Sequence, residues 1–293
     1  MTDAAAETAD TRPYDSFGVV GLGAMGGPIA AHVLAAGYRV AVFDLDAELV
    51  KRYAAMGAET PASLQELAGS VDVIGIFVPS DDDVLAVCAG EDGLLKAVRE
   101  GGVVLLCSSI RPDTCRAIAA AAPAGVSVLD AALTGGVRGA EAGTINLLTG
   151  GDESALGAAH ALLEPWTSSV HHLGPLGAGQ VGKSANNLIH WAQISAITEA
   201  LELARRHGVD VPALRRALMD GPTDSRTLRE LEQMRLTWHA KDLANAAVLA
   251  EEVGMDLPVA EMSRQVMLQR SVESVAGLLS SPGDPSGPIR RSA

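Results

Sequence analysis

A chain of 293 residues with 48% hydrophobic residues has material for one large domain or two medium ones, and with only 3% aromatics its core must be built from Ala, Val, Leu and Ile. A formal charge of −14 without any basic run argues against nucleic-acid binding, which depends on neutralising phosphates, although a small-molecule pocket can be locally basic on an acidic protein. Every apolar stretch is broken by Gly, Pro or charge well short of the roughly 18–20 residues of a membrane span.

Residues 1–13 contain neither an apolar h-region nor a basic n-region, so no secretory signal is read there and disorder is expected. Cys88, Cys107 and Cys115 form no CxxC, which suits buried reduced thiols and a cytoplasmic protein. From Phe17 onward, short runs rich in Val, Ile and Leu recur at Phe17–Gly21, Tyr38–Asp44, Val71–Val78, Val103–Ser108 and Val126–Asp130. Helix-like stretches lie between them at Met25–Ala36, Ala47–Met56, Asp82–Val87 and Pro112–Ala121. Runs apolar on both faces are those of strands buried in a parallel sheet, and the alternation predicts repeated βαβ units in a doubly wound sheet. Ile145–Leu148 and Ser168–Leu173, flanking a helix at Glu153–Leu163, extend that sheet.

After Gly182 the pattern becomes helical. Lys183–Arg206 reads as one helix of about 24 residues, roughly 36 Å long, apolar on most faces and long enough to form the spine of a second domain. Helices follow at Pro212–Met219, Asp224–Met234, Lys241–Val253 and Pro258–Ala276, with no strand after Leu173. The fold class is therefore α/β: a Rossmann domain over 14–176, then an all-helical domain over 177–280, joined by the long helix. The Pro-, Gly- and Ser-rich tail 281–293 is expected to be disordered.

Gly21-Leu22-Gly23-Ala24-Met25-Gly26 is a G-x-G-x-x-G that follows the first strand and opens the first helix. The first Gly permits a tight turn, the second lets backbone N–H groups approach a pyrophosphate, and the third lets helix pack on strand. The second strand ends at Asp44, where a carboxylate can accept hydrogen bonds from a ribose diol and repel a 2′-phosphate. NAD is thus expected, with NADP as the alternative because Lys51 and Arg52 lie close by in sequence.

Three later segments bear on chemistry. Asp130-Ala131-Ala132-Leu133-Thr134-Gly135-Gly136 ends a strand with a hydroxyl and exposed N–H groups, suited to a carboxylate or simply to a turn. In Gly177-Ala178-Gly179-Gln180-Val181-Gly182-Lys183-Ser184-Ala185-Asn186-Asn187, Lys183 and Asn187 share one helix face. A lysine on so apolar a helix is either a snorkelling surface cation or an amine whose pKa a dehydrated cleft has lowered toward neutrality. Lys241-Asp242-Leu243 opens a late helix. No His or Cys spacing fits a metal site.

In this order the motifs resemble the β-hydroxyacid dehydrogenase family, together with Phe77-Val78-Pro79 and Ser108-Ser109-Ile110-Arg111-Pro112. The resemblance covers about residues 17–260. It implies a Rossmann domain followed by a helical one, a homodimer or tetramer, and reversible oxidation of a β-hydroxy acid to its semialdehyde with NAD or NADP. Lys183 would be the acid/base and Asn187 would hold substrate or orient Lys183. Thr134, Gly135 and Gly136 would hold the carboxylate of a small carboxylic-acid substrate. Val78, Pro79 and Ser109 would line the cofactor, and Lys241 would reach the nicotinamide end. The chain departs from the pattern in carrying Thr134 for Ser, Ser109 for Thr, and a shortened stretch before Lys241. Trp191, one turn beyond Asn187, is read either as an apolar wall for substrate or as a core residue. The alternatives are an imine or ketone reductase, whose relatives generally replace the lysine, and a cofactor-binding protein without turnover.

Overall fold

The structure, a computed structural model, describes residues 14–284. It divides into two compact units at Lys183/Ser184. The stretch 1–13 and residues 285–293, both expected to be disordered, lie outside the described residues.

The first unit contains β1 (Ser16–Val20), α1 (Gly26–Ala35), β2 (Arg39–Phe43), α2 (Ala47–Ala54), α3 (Leu64–Ser70), β3 (Val73–Ile76) and α4 (Asp81–Ala89). It continues with β4 (Val103–Leu106), α5 (Pro112–Ala121), β5 (Ser127–Thr134), α6 (Gly136–Ala142), β6 (Ile145–Gly150), α7 (Glu153–Leu163) and β7 (Thr167–His172). The strands form one sheet in the order β2-β1-β3-β4-β5-β6-β7. Beyond β2, Glu59 makes a single parallel bridge to Ala41; its N–H donates to Val40 O at 2.8 Å and its carbonyl accepts from Val42 N–H at 2.9 Å. Counting that one-residue bridge as a strand gives the 3-2-1-4-5-6 order of a dinucleotide-binding sheet.

Alternate residues of each strand enter opposite cores. Phe17, Val19, Val73, Val103, Leu105 and Leu129 pack with Ile29 and Val33 of α1 and Leu162 of α7. Ile74, Ile76, Val104, Leu106 and Val128 pack with Leu67 of α3, Val84 of α4 and Ile118 of α5. The sheet is therefore covered on both faces, as strands without polar alternation require.

The two added strands extend the sheet as expected, both reversed in direction relative to the first five. β6 runs antiparallel to β5, pairing Asp130 with Gly150 and Thr134 with Asn146, and β7 runs parallel to β6. Residues 135–144 hold only the short α6 between two left-handed glycines, Gly135 and Gly143, whereas a parallel return needs a crossover of about a dozen residues or more.

The remaining helices are α8 (Ala178–Arg206), α9 (Val211–Met219), α10 (Arg226–Arg229), α11 (His239–Glu252), α12 (Pro258–Met267) and α13 (Val272–Leu279). α8 starts five residues before the expected Lys183, so Gly179-Gln180-Val181-Gly182 is helix rather than loop. The second unit, from Ser184 on, has its core around Trp191, Ile194, Leu231, Leu243, Met267 and Val275.

Two expected helices are broken. Asp224–Met234 ends as helix at Arg229, because Arg215 takes the Leu228 and Arg229 carbonyls, each at 2.9 Å. Pro258–Ala276 divides because Ser271 and Ser274 form a reciprocal capping box that starts α13 afresh. The beginning of the expected disordered tail is held in place: Val211 N–H donates to Ser281 O at 3.2 Å and Asp284 N–H to Gly208 O at 3.1 Å.

Candidate active site

β1, β2, β3 and β4 end in one row, with Val20 beside Phe43 and Ile76, and Ile76 beside Leu106. The chain leaves β1 toward β2 and returns on its other side as β3, which opens a crevice at this edge. Gly21 turns there with φ +94°, and a Cβ on it would lie 2.5 Å from the Phe77 carbonyl oxygen, so a side chain is excluded. A Cβ at Gly26 would collide with the Gly21 carbonyl oxygen, which lets α1 start directly behind the loop. Gly23 differs: a Cβ there would meet no atom within 4 Å. Its hydrogen preserves open space at the helix N-terminus, a cradle that suits a pyrophosphate.

Asp44 stands at the tip of β2. Its Oδ2 accepts from Leu22 N–H at 2.6 Å and its Oδ1 from Asp46 N–H at 2.8 Å, fixing a negative charge beside the loop. Of the nearby cations, Lys51 pairs with Glu48 at 2.7 Å and Arg52 lies over the Tyr53 ring at 5.8 Å. Val78 and Pro79 follow β3, and Ser108-Ser109 follow β4. Ser108 ties the two together, accepting from Val78 N–H at 3.0 Å and donating to Ile76 O at 3.3 Å. Ser109 is half-buried and Pro79 exposed at the same edge.

β5 continues four residues past the row in which Leu106 pairs with Asp130. At its end the Thr134 hydroxyl is engaged within the sheet: it donates to Asn146 O at 2.9 Å and accepts from Asn146 Nδ2 at 3.0 Å. Gly135 (φ +111°) and Gly136 (φ +65°) are exposed, so the accessible part of this segment is its glycine backbone.

Sequence reasoning missed how the first turn of α8 is held. Asp130 is the only charged side chain buried among the described residues. Its Oδ1 accepts from Gly177 N–H at 2.6 Å and its Oδ2 from Gln180 N–H at 2.8 Å. Gln180 in turn accepts from Ile110 N–H at 3.2 Å and donates to Ser108 O at 2.9 Å. Burial raises the Asp130 pKa, while the hydrogen bonds from Gly177 and Gln180 pull it back. Lys183, half-buried, follows on the next turn.

The other candidate residues belong to the second unit. Asn187 is buried and accepts from Asn186 Nδ2 at 3.2 Å; Lys241 is exposed at the start of α11. Trp191 is 3% exposed and packs in the core of the second unit. Its indole N–H donates to Asp242 Oδ2 at 3.0 Å, and its ring meets His239 edge-on with centroids 5.8 Å apart. His190, packed beside it at 5.2 Å, shares a hydrogen bond of 3.1 Å with Thr227. Among the described residues no group of three or more His, Cys, Asp or Glu could hold a metal ion, and no helix is long and apolar enough to cross a membrane.

Residues 16–174 match the NAD binding domain of 6-phosphogluconate dehydrogenase, and residues 177–277 match the NAD-binding domain of NADP-dependent 3-hydroxyisobutyrate dehydrogenase. The chain is 38% identical over 196 residues to 3-hydroxyisobutyrate dehydrogenase of Pseudomonas aeruginosa, an alignment covering 67% of this chain and 66% of that protein. The chain thus spans about two thirds of the length of this curated relative. It is 32% identical over 253 residues to 2-hydroxy-3-oxopropionate reductase of Escherichia coli, covering 83% of this chain and 86% of that one. Among solved structures, Mycobacterium tuberculosis 3-hydroxyisobutyrate dehydrogenase with L-serine superposes with a TM-score of 0.79 at 26% identity, covering 92% and 96% of the two chains.

Proposed function

Because the chain belongs to the β-hydroxyacid dehydrogenase family, we propose that it interconverts a small β-hydroxy acid and its semialdehyde with NAD, Lys183 carrying the hydroxyl proton. One observation carries this reading: the helix bearing Lys183 is bolted, through Asp130 and Gln180, to the same sheet edge that carries the glycine loop.

A bound dinucleotide supplies the acceptor for the hydride that leaves the hydroxyl-bearing carbon. Lys183 as the neutral amine takes the hydroxyl proton in oxidation, and as the ammonium returns it to the carbonyl oxygen in reduction. The backbone of Gly135 and Gly136 holds the substrate carboxylate, and Asn187, one turn along α8, orients substrate or the Lys183 amine. Leu22, Ala24 and Met25 complete the pyrophosphate loop; Val78, Pro79 and Ser109 line the cofactor, with Lys241 toward its nicotinamide end. The fixed charge of Asp44, with Lys51 already paired, supports NAD over NADP. The presence of Lys183 disfavours the imine-reductase alternative.

The same reading includes a homodimer or tetramer, supported by large apolar residues exposed on the second unit, among them Trp238, Val253, Met262 and Leu268. A cytoplasmic location is supported by three cysteines that are all free thiols.

The deciding experiment measures turnover of 3-hydroxyisobutyrate, L-serine, glycerate and a cyclic imine with NAD and with NADP, for the wild type and Lys183→Ala. Lys183→Ala is expected to lower kcat by about 10³-fold with cofactor Kd nearly unchanged. Retained oxidation of the hydroxy acid overturns the acid/base assignment, and a strong kinetic preference for NADP overturns Asp44 as the selector.

A further inference from the structure

We infer that Asp130 is a positioning residue for the reaction: by capping the first turn of α8 from within β5, it fixes where the Lys183 amine stands at the cofactor-binding edge. The inference rests on the assignment of Lys183 made above. A long helix starts with N–H groups that have no partner inside the helix, and its aligned dipole favours a negative charge at that end. Most helices of this protein answer that need locally: Asp46, Ser63, Ser80, Asp152, Asp210, Ser225 and Ser271 each cap the helix they precede. The residue before α8 is Gly177, which has no side chain, and the cap arrives instead from a strand 47 residues away.

A local cap would start the helix equally well. A cap delivered by β5 also sets the seat of the helix on the sheet. The surroundings are shaped for this close approach. A Cβ at Gly150 would lie 2.5 Å from Asp130 Oδ1 and one at Gly179 2.6 Å from Asp130 Oδ2. Gln180 adds a second clamp to the loop after β4, so the first turn is fixed at two points, one within β5 and one just past β4. Lys183 lies three residues past Gln180, on the neighbouring position of the same helix face. Asp130 is fully buried and Gly177 and Gln180 consume an N–H contact on each of its oxygens, so it acts on the reaction through Lys183 rather than by touching substrate.

The test compares wild type, D130N, K183A and the double variant, using 3-hydroxyisobutyrate as probe and NADH fluorescence for cofactor affinity. Asn keeps one acceptor oxygen but turns an NH₂ toward the other backbone N–H, so the cap is half lost without a change in size. The expected result is a fall in kcat of about 10²-fold, the scale of a misplacement near 1 Å, with NADH Kd within about twofold of wild type. In the K183A background, where added methylammonium replaces the amine, D130N is expected to leave the rescued rate unchanged within about twofold. An unchanged kcat in D130N, or the same loss in the methylammonium-rescued K183A background, overturns the inference, as does a parallel loss of NADH binding. Full activity in K183A overturns the Lys183 assignment itself, a result separable from the others. If D130N does not fold, Gln180→Met removes the second clamp and leaves the Asp130 cap in place. Its expected fall in kcat is about tenfold, and an unchanged kcat again overturns the inference.

Discussion

In residues 14–183 the candidate site is largely backbone: the loop of Gly21, Gly23 and Gly26, the exposed turn of Gly135 and Gly136, and a helix terminus seated on Asp130. In residues 184–284 the polar contacts around the core are side chains held by other side chains, with Trp191 on Asp242, His239 against the Trp191 ring and His190 on Thr227. The two constructions respond differently to substitution. A backbone site fails when a methyl group blocks it, whereas side-chain packing can be retuned one residue at a time. The glycine loop of the first unit is built the first way, and the core of the second unit is built the second.

The sharpest break of this contrast is Gly21→Ala. Both the positive φ and the Phe77 carbonyl oppose a Cβ, so a cost of about 2–4 kcal/mol is expected, read as a lost NADH fluorescence titration and a lowered Tm. Normal NADH binding by the Gly21→Ala variant would show that the loop is not backbone-limited. Next in size is Asp242→Ala, which strips the partner from a buried indole N–H. A loss of about 1–3 kcal/mol in denaturant unfolding is expected, with NADH Kd unaffected.

The smallest effect concerns acid. Glu202 is held at a pKa of about 2 by Arg205 and Arg206, and Glu261 at about 2 by Arg264, and both belong to the second unit. Carboxylates whose pKa is depressed in the fold contribute stability above their unfolded value of 4.5, lost as pH falls toward 2. Asp130 in the first unit is shifted upward, so its own contribution to folding improves as pH falls. Glu202→Gln is therefore expected to flatten the decline in stability between pH 4.5 and about 2, measured by urea melts followed through tryptophan fluorescence. A decline as steep as in the wild type would place the acid sensitivity elsewhere.

Much of the first unit was legible because buried parallel strands read as short apolar runs, and α5 and α7 start and stop where Pro112 and Glu153 signal. α3 escaped although Ser63 and Glu66 carry a capping-box spacing that could have located it. α6 was masked by the glycines that bound it. The polarity of β6 depends on the length of its connection, which apolar periodicity does not report. The role of Asp130 rests on partners 47 and 50 residues away, and that of Trp191 on one 51 residues away. Local patterns named Trp191 as a candidate and placed Asp130 only at the head of a segment, and could not say what either touches.

The glycines of α8 also bear on attempts to make the protein more robust. Glycine costs a helix interior about 1 kcal/mol relative to alanine, so propensity alone would select Gly179 and Gly182 for replacement. At Gly179 the added methyl would strike the Leu148 carbonyl and Asp130 and disturb the seat of α8, whereas at Gly182 it would collide only with the end of the exposed Leu173 side chain, which can move aside. Gly157 in α7 has nothing within 4 Å of a new Cβ and is the site where the same change should stabilise without penalty. Thermal hardening of this scaffold thus depends on telling glycines that are merely permitted from those that let α8 seat against the sheet.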